Sequence, residues 1–239
     1  MLSIIITFHN ESILAHQTLR SLHISASFAA SFIKNIEFIL VLDRPTLETR
    51  QVITNYPDYF FPHIISECDF GDVAPARNHG INLSSGTVLA ICDGDDYYSR
   101  NWLAESYLLS KQSATTIVHP EYFVSFGDLH HFTKQMDIHN PEYTTRGLLA
   151  GNYWGPWVVT SRETFNSCKY QTTTPRTKTG YWAEDWHWNC ETIARGFKHI
   201  LCPRTAVFYR RRQTGVSGWV AQQGNRHKIA PTSLFNSLF

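Results

Sequence analysis

At 239 residues the chain is long enough to bury a full core as one α/β domain, or as one domain with a modest appendage. A net charge of +1 argues against a protein whose main work is neutralising nucleic-acid phosphate, so no nucleic-acid partner is expected. No stretch reaches the roughly 18–20 apolar residues of a membrane span, and the opening MLSIIITFHNES lacks the basic start and long apolar centre of a signal peptide. The five cysteines, Cys68, Cys92, Cys168, Cys190 and Cys202, show no CxxC spacing, and several sit in apolar runs. Free thiols in a reducing compartment fit this better than a disulfide framework or a zinc site. The chain therefore reads as cytoplasmic, with room for peripheral contact at the inner face of a membrane.

In chain order, LSIIITF (2–8) is a β-branched run suited to a strand covered on both faces. ESILAHQTLRSLHIS (11–25) has helical spacing, IEFILVLD (36–43) is a second buried strand, and TLETRQVITNY (46–56) a second helix. HIISEC (63–68) and VAPARNHGINLS (73–84) repeat the pattern, and GTVLAICD (86–93) is a fourth strand. This alternation implies right-handed βαβ units and a mainly parallel sheet, whose ligands bind beyond the carboxyl ends of the strands. Asp43, Asp93 and the TFHNE turn all fall at such ends.

The rhythm then changes. A helix over 99–112 leads to TTIVHPEYFVSF (115–126) and a polar stretch (127–146) that reads as a loop or hairpin. The aromatic GNYWGPWVVTS precedes a helix-like RETFNS, and KYQTTTPRTKTG (169–180) has loop composition. AEDWHWNCETIARG reads as a helix beginning near Asp185 and stopped by Gly196, with HILCP and AVFYR as closing strands.

Chemistry concentrates in CDGDD, where Asp93, Asp95 and Asp96 end a buried strand. Carboxylates so placed repel one another and resist desolvation. A divalent cation, a Lys or Arg cluster, or water could compensate them. Two carboxylates one residue apart can hold Mg²⁺ or Mn²⁺ that keeps waters and recruits ligand phosphates. Tyr97 interrupts the spacing of an EF-hand, and a haloacid-dehalogenase phosphatase has its DxD after the first strand, not the fourth.

LSIIITFHNE, the VLD closing strand two, ARNHGINLSSGTVLAICDGDD, the later AEDWHW and the tail VFYRRRQTGVS resemble, in that order, the motifs of the family 2 glycosyltransferases. The resemblance runs from residue 2 to about 217. It implies a GT-A fold, with a nucleotide-sugar-binding half (1–98), an acceptor-binding and catalytic half (99–217), and a C-terminal tail (218–239) leading to a further module. It implies an inverting transfer of one sugar from a nucleoside-diphosphate sugar (UDP by default, dTDP or GDP as other donors) to a hydroxyl of a glycan or lipid-linked glycan. Capsule, lipopolysaccharide or other surface-polysaccharide synthesis is the implied setting. Phe8, Asn10, Glu11 and Asp43 would hold the nucleobase and ribose, Arg77 the base or diphosphate, and Asp93 the ribose, the sugar or the metal. Asp95 would bind Mn²⁺ or Mg²⁺, Asp185 would be the base, and Glu184 would orient it or bind acceptor hydroxyls.

The sequence departs from the family at Thr7, His9 and Arg212, where proline, tyrosine and the tail histidine are usual. Arg210 and Arg212 belong to a basic run that either neutralises the diphosphate or is simply solvated. Trp154, Trp157 and Trp182 form either an acceptor-stacking wall or the core of a subdomain. The alternatives to transfer are a nucleotidyltransferase-like GT-A enzyme, which would want a Gly-rich basic loop after strand one, and a non-catalytic glycan-binding module. TFHNES has neither Gly, Lys nor Arg.

Overall fold

The computed structural model describes residues 1–128, 130–172, 181–211 and 229–238. Four strands, β1 (Leu2–Phe8), β2 (Ile36–Asp43), β3 (His63–Cys68) and β4 (Val88–Asp93), lie parallel in the order β3-β2-β1-β4. Every residue of β1 and β2 is buried, as their unbroken apolar runs require, whereas β3 at the sheet edge is largely exposed or half-buried. Side chains alternate between faces. Leu2, Ile4, Ile6 and Phe8 join a core beneath α1 (Leu14–Ala29) and α4 (Trp102–Ser110). Ile5, Ile39 and Val41 face a second core with α3 (Val73–Leu83), which packs on β1 and β2. A short α2 (Leu47–Thr54) is capped by the Thr46 hydroxyl.

The second half continues the same sheet. β8 (Val158–Ser161) pairs antiparallel with β4, and β6 (Thr116–Gly127) pairs antiparallel with β8. β9 (Lys198–Arg211) runs parallel to β6, and the two-residue β5 (Tyr97–Tyr98) pairs with β9. β7 (His131–Lys134) forms a hairpin with β6, so the polar 127–146 stretch is partly strand. HILCP and AVFYR are one strand, since β9 passes through Pro203 without ending. The halves expected to divide near residue 98 thus share one sheet, whose first four strands are parallel as expected and whose second half adds antiparallel pairings.

Behind this sheet lie a single-turn 3₁₀ helix (Thr145–Leu149), α5 (Arg162–Ser167), α6 (Glu184–Ala194) and α7 (Ser233–Leu238). Gly196, at φ +83°, ends α6 in the left-handed region that favours glycine. A third core joins Trp154, Trp186, Cys190, Leu201 and Leu234 between α6, β9 and α7. All five cysteines are free, and none of the described helices is long and apolar enough to cross a membrane.

The turn after β4 is closely packed at Gly94. A Cβ there would lie 2.3 Å from Phe8 Cδ1 and 2.7 Å from the Thr7 carbonyl oxygen. The carbonyl belongs to a central strand and cannot yield. Gly94→Ala should therefore cost about 1–3 kcal/mol of folding stability, the usual effect of overpacking. Denaturant unfolding would measure it, and an unchanged midpoint would mean that the turn relaxes freely.

Candidate functional site

Strand register brings the expected residues to one edge. Thr7 pairs with Asp93 and Phe8 with Leu42, so the turn after β1, Asp43 and Asp93 lie side by side at the carboxyl end of the parallel strands. Their side chains do different work.

Asp43 is 7% exposed, and its carboxylate accepts from the backbone N–H groups of Phe70 (2.8 Å), Gly71 (3.0 Å) and Asp72 (3.0 Å). Three of its roughly four acceptor sites are filled by the β3–α3 loop. Asp43 thus shapes that loop, and Asp72 in turn caps α3 by accepting from Ala74 N–H. The Phe8 ring is 1% exposed and belongs to the core, which corrects the expectation that it faces a nucleobase. Asn10 is exposed, and Glu11 is buried with Oε2 accepting from the His9 N–H.

Arg77 is 2% exposed, projecting from α3 beneath the strand ends. Its Nη2 donates to Asp93 Oδ1 (2.8 Å) and its Nη1 to Glu184 Oε1 (2.7 Å), while Cζ lies 5.3 Å from the centre of the Tyr170 ring. Burial opposes its charge, but the Asp93 and Glu184 charges prevail and hold its pKa well above the usual value. The arginine expected to reach a ligand is instead spent on positioning two carboxylates from opposite sides of the site.

Asp185 follows Glu184 in the first turn of α6, whose N-cap is Ala183, so Asp185 is not a helix cap. Its Oδ2 accepts from Asn152 Nδ2 (3.1 Å), and Asn152 Oδ1 accepts from Asn189 Nδ2 (2.9 Å). Burial and then the adjacent Glu184 charge push the Asp185 carboxyl up to about 7, against a smaller opposing pull from Arg77. A carboxylate so poised can take a proton near neutral pH.

Asp96 was given no role by its sequence. It is fully buried, with Oδ2 accepting from Trp157 Nε1 (2.7 Å) and Oδ1 from the Arg210 N–H (2.9 Å). It therefore ties β9 to the DGDD turn. The available signal was the third acid itself, one more than a D-x-D pair needs. Arg212 lies outside the described residues.

Burial, then the Asp95 and Asp93 charges, push Asp96 up, a measure of the negative field gathered at the turn. With Asp96 held by N–H donors, the D-x-D pair at this turn consists of Asp93 and Asp95. Among the described residues no group of three or more His, Cys, Asp or Glu could hold a metal unaided. An oxygen-only pair that leaves most of the shell to water and phosphate fits Mg²⁺ or Mn²⁺ rather than zinc.

The tryptophans divide. Trp157 (2% exposed) is bonded to Asp96, and Trp154 (2% exposed) donates to the Met136 carbonyl and stacks 4.2 Å from His199 between ring centres. Neither offers a face to an acceptor, which corrects that expectation for both. Trp182 is only partly buried, at the rim of the third core.

The model of the family described as "Glycosyl transferase family 2" matches residues 3–174. The chain belongs to glycosyltransferase family 2. No curated protein sequence matches it. Among solved structures, S. aureus TarS 1–349 in complex with UDP-GlcNAc superposes with a TM-score of 0.70 at 14% identity, covering 98% of this chain and 63% of that one. The mannosyltransferase PcManGT from Pyrobaculum calidifontis, in complex with GDP-Man and Mn²⁺, gives 0.66 at 15% identity, covering 99% and 68%. The family 2 chain spans only 60–63% of the TarS 1–349 chains and 37% of the longer TarS structure. These likenesses identify the fold as GT-A.

Replacing Arg77 by Met would leave the half-buried Asp93 and the buried Glu184 as uncompensated charges. The expected loss is about 3–5 kcal/mol of stability, read by denaturant unfolding. Arg77→Lys should recover only part, because an ammonium cannot span both carboxylates. A Met variant as stable as the parent would show that the triad is not what holds β4 against α6.

Proposed function

We propose that this family 2 domain catalyses inverting transfer of one sugar from a nucleoside-diphosphate sugar to a hydroxyl of a glycan acceptor, with a divalent cation at Asp93 and Asp95. The carrying observation is the placement of Asp185, raised to about 7 and oriented by Asn152, across Arg77 from Asp93. In the transfer, the acceptor oxygen bonds to C1 of the sugar as the bond from C1 to the diphosphate oxygen breaks, and Asp185 takes the acceptor proton. Mn²⁺ or Mg²⁺, when bound, would neutralise charge on the departing diphosphate. Asp93 and Asp95 would hold that ion, Arg77 keeps Asp93 and Glu184 fixed, and Arg210, whose N–H is bonded to Asp96, would meet phosphate charge at the same turn. UDP is the first donor to test, since the TarS structures carry UDP-GlcNAc and UDP, with GDP next because PcManGT carries GDP-Man. Surface-polysaccharide synthesis in the cytoplasm, beside a membrane, is the setting we infer.

Asp185→Asn keeps the shape of the side chain and its acceptor oxygen for Asn152. Transfer should fall roughly 10²–10⁴-fold, the usual worth of a positioned general base, while nucleotide affinity is retained. In the parent, transfer should rise with pH through about 7 as the base deprotonates. Stability carries the opposite sign. A carboxyl whose folded pKa is raised favours folding below its unfolded pKa, and that advantage is lost as pH rises through about 7. Asp185→Asn should therefore melt no lower than the parent above pH 7, and relatively lower in acid. Near-normal transfer by the folded variant would assign the base elsewhere, with Glu184 next.

The cation is tested separately. Asp95→Asn should abolish the Mn²⁺-dependent part of UDP or GDP binding in calorimetry. Metal-dependent binding that survives unchanged would remove Asp95 from the ion's shell.

A further inference from the structure

Asp185 and Asn189 lie four residues apart on α6, so they share one face of the helix. Both meet the same side chain, Asn152, in the stretch between the 3₁₀ helix and β8. Asn152 Nδ2 donates to Asp185 Oδ2 at 3.1 Å, and Asn152 Oδ1 accepts from Asn189 Nδ2 at 2.9 Å. Asn189 is 1% exposed, whereas Asn152 and Asp185 are half-buried.

An amide has two unlike ends of nearly the same shape. Turned one way, Asn152 offers N–H to the carboxylate and favours its ionised form. Turned the other way, it offers an oxygen, which repels the carboxylate and accepts from the protonated carboxyl. Asp185 cannot choose between these senses, because it suits either one according to its own protonation. Two donors make the choice. The Trp154 N–H, a backbone group that can only donate, lies 3.5 Å from Asn152 Oδ1, and Asn189 Nδ2 reaches the same oxygen at 2.9 Å. The shorter bond contributes more. The stretch itself is anchored, with Trp154 Nε1 donating to the Met136 carbonyl (2.8 Å) and the Gly155 N–H to Gln135 Oε1 (2.6 Å). What is left to decide is the sense of the amide.

We propose that Asn189 is a positioning residue: it turns the Asn152 amide so that the N–H end, and not the oxygen, meets Asp185. Its bearing on transfer rests on Asp185 being the base. Asp185 is also faced, among the described residues, by Glu184 on its own helix, Arg77 from α3, Asp93 from β4, Tyr170 from the segment after α5, and Cys190. Glu184 and Asp93 oppose its ionisation and Arg77 favours it, while burial keeps Tyr170 and Cys190 neutral. Asn152 is the one described side chain that donates a hydrogen bond to it.

The test is a carboxyl titration of the full chain by NMR with ¹³C-labelled aspartate, the Asp185 signal being identified by its loss in Asp185→Asn. Asn152→Leu should raise the Asp185 midpoint by about one pH unit, the worth of one hydrogen bond to an ionised group. Asn189→Leu, which keeps the volume and removes the donor, should raise it by roughly half a unit. In the Asn152→Leu background the same change should add nothing, because Asn189 acts through that amide. Asn189→Ala gives the same reading should melting curves show the Leu variant unfolded. A midpoint unmoved by loss of the Asn189 amide, or a shift that persists undiminished without Asn152, would overturn the proposal. The pH profile of transfer should move to higher pH by the same amount as the midpoint. A midpoint that moves without the profile would uphold the placement of the amide and remove Asp185 as the base, so the two readings fail separately.

Discussion

The site depends on one buried guanidinium. Arg77 holds Asp93 at the end of β4 and Glu184 at the start of α6, partners 16 and 107 residues away in the chain. Taking these ions out of water costs several kcal/mol each, so the arrangement persists only while all three are present and bonded. That requirement fixes where α6 begins relative to the sheet. It also fixes Asp185, which receives no hydrogen bond from Arg77 but sits beside the Glu184 charge. The same triad that docks α6 thus supplies part of the field that raises Asp185.

Carboxylates at the strand ends fall into two kinds by what satisfies them. Asp43 and Asp96 are occupied by backbone and indole N–H groups, and their work is to shape the β3–α3 loop and to pin β9. Asp93 shares only one oxygen with Arg77 and keeps part of its surface open. Sequence alone cannot separate these kinds, because all are Asp after a strand. The difference lies in the loops that fold back onto them.

Much of the first half was legible for a physical reason. A strand buried on both faces must be apolar throughout, and helices of regular spacing between such strands leave few topologies. Hence three of the parallel strands could be read from LSIIITF, IEFILVLD and GTVLAICD, and the edge strand HIISEC from its place in the alternation. The second half resisted, because most of its strand pairings are antiparallel and its aromatics do not announce their surroundings. Trp154 and Trp157 looked like a sugar-stacking wall, yet each N–H needed an acceptor and found one in the interior. Pro203 suggested a break, yet β9 runs through it.

The ED pair at the head of α6 joins these strands of argument. Two adjacent acids at a helix start gain from the N-terminal dipole, which favours keeping both ionised. Glu184 takes the Arg77 guanidinium as its partner. Asp185, half-buried beside the Glu184 charge with the Asn152 amide for company, has its carboxyl pushed up to about 7. A sequence in which Asp185 alone were solvated would keep the triad and hold no proton-accepting group near neutrality. The cost is accepted at one residue only, and it falls on the side chain whose protonation the proposed transfer would use.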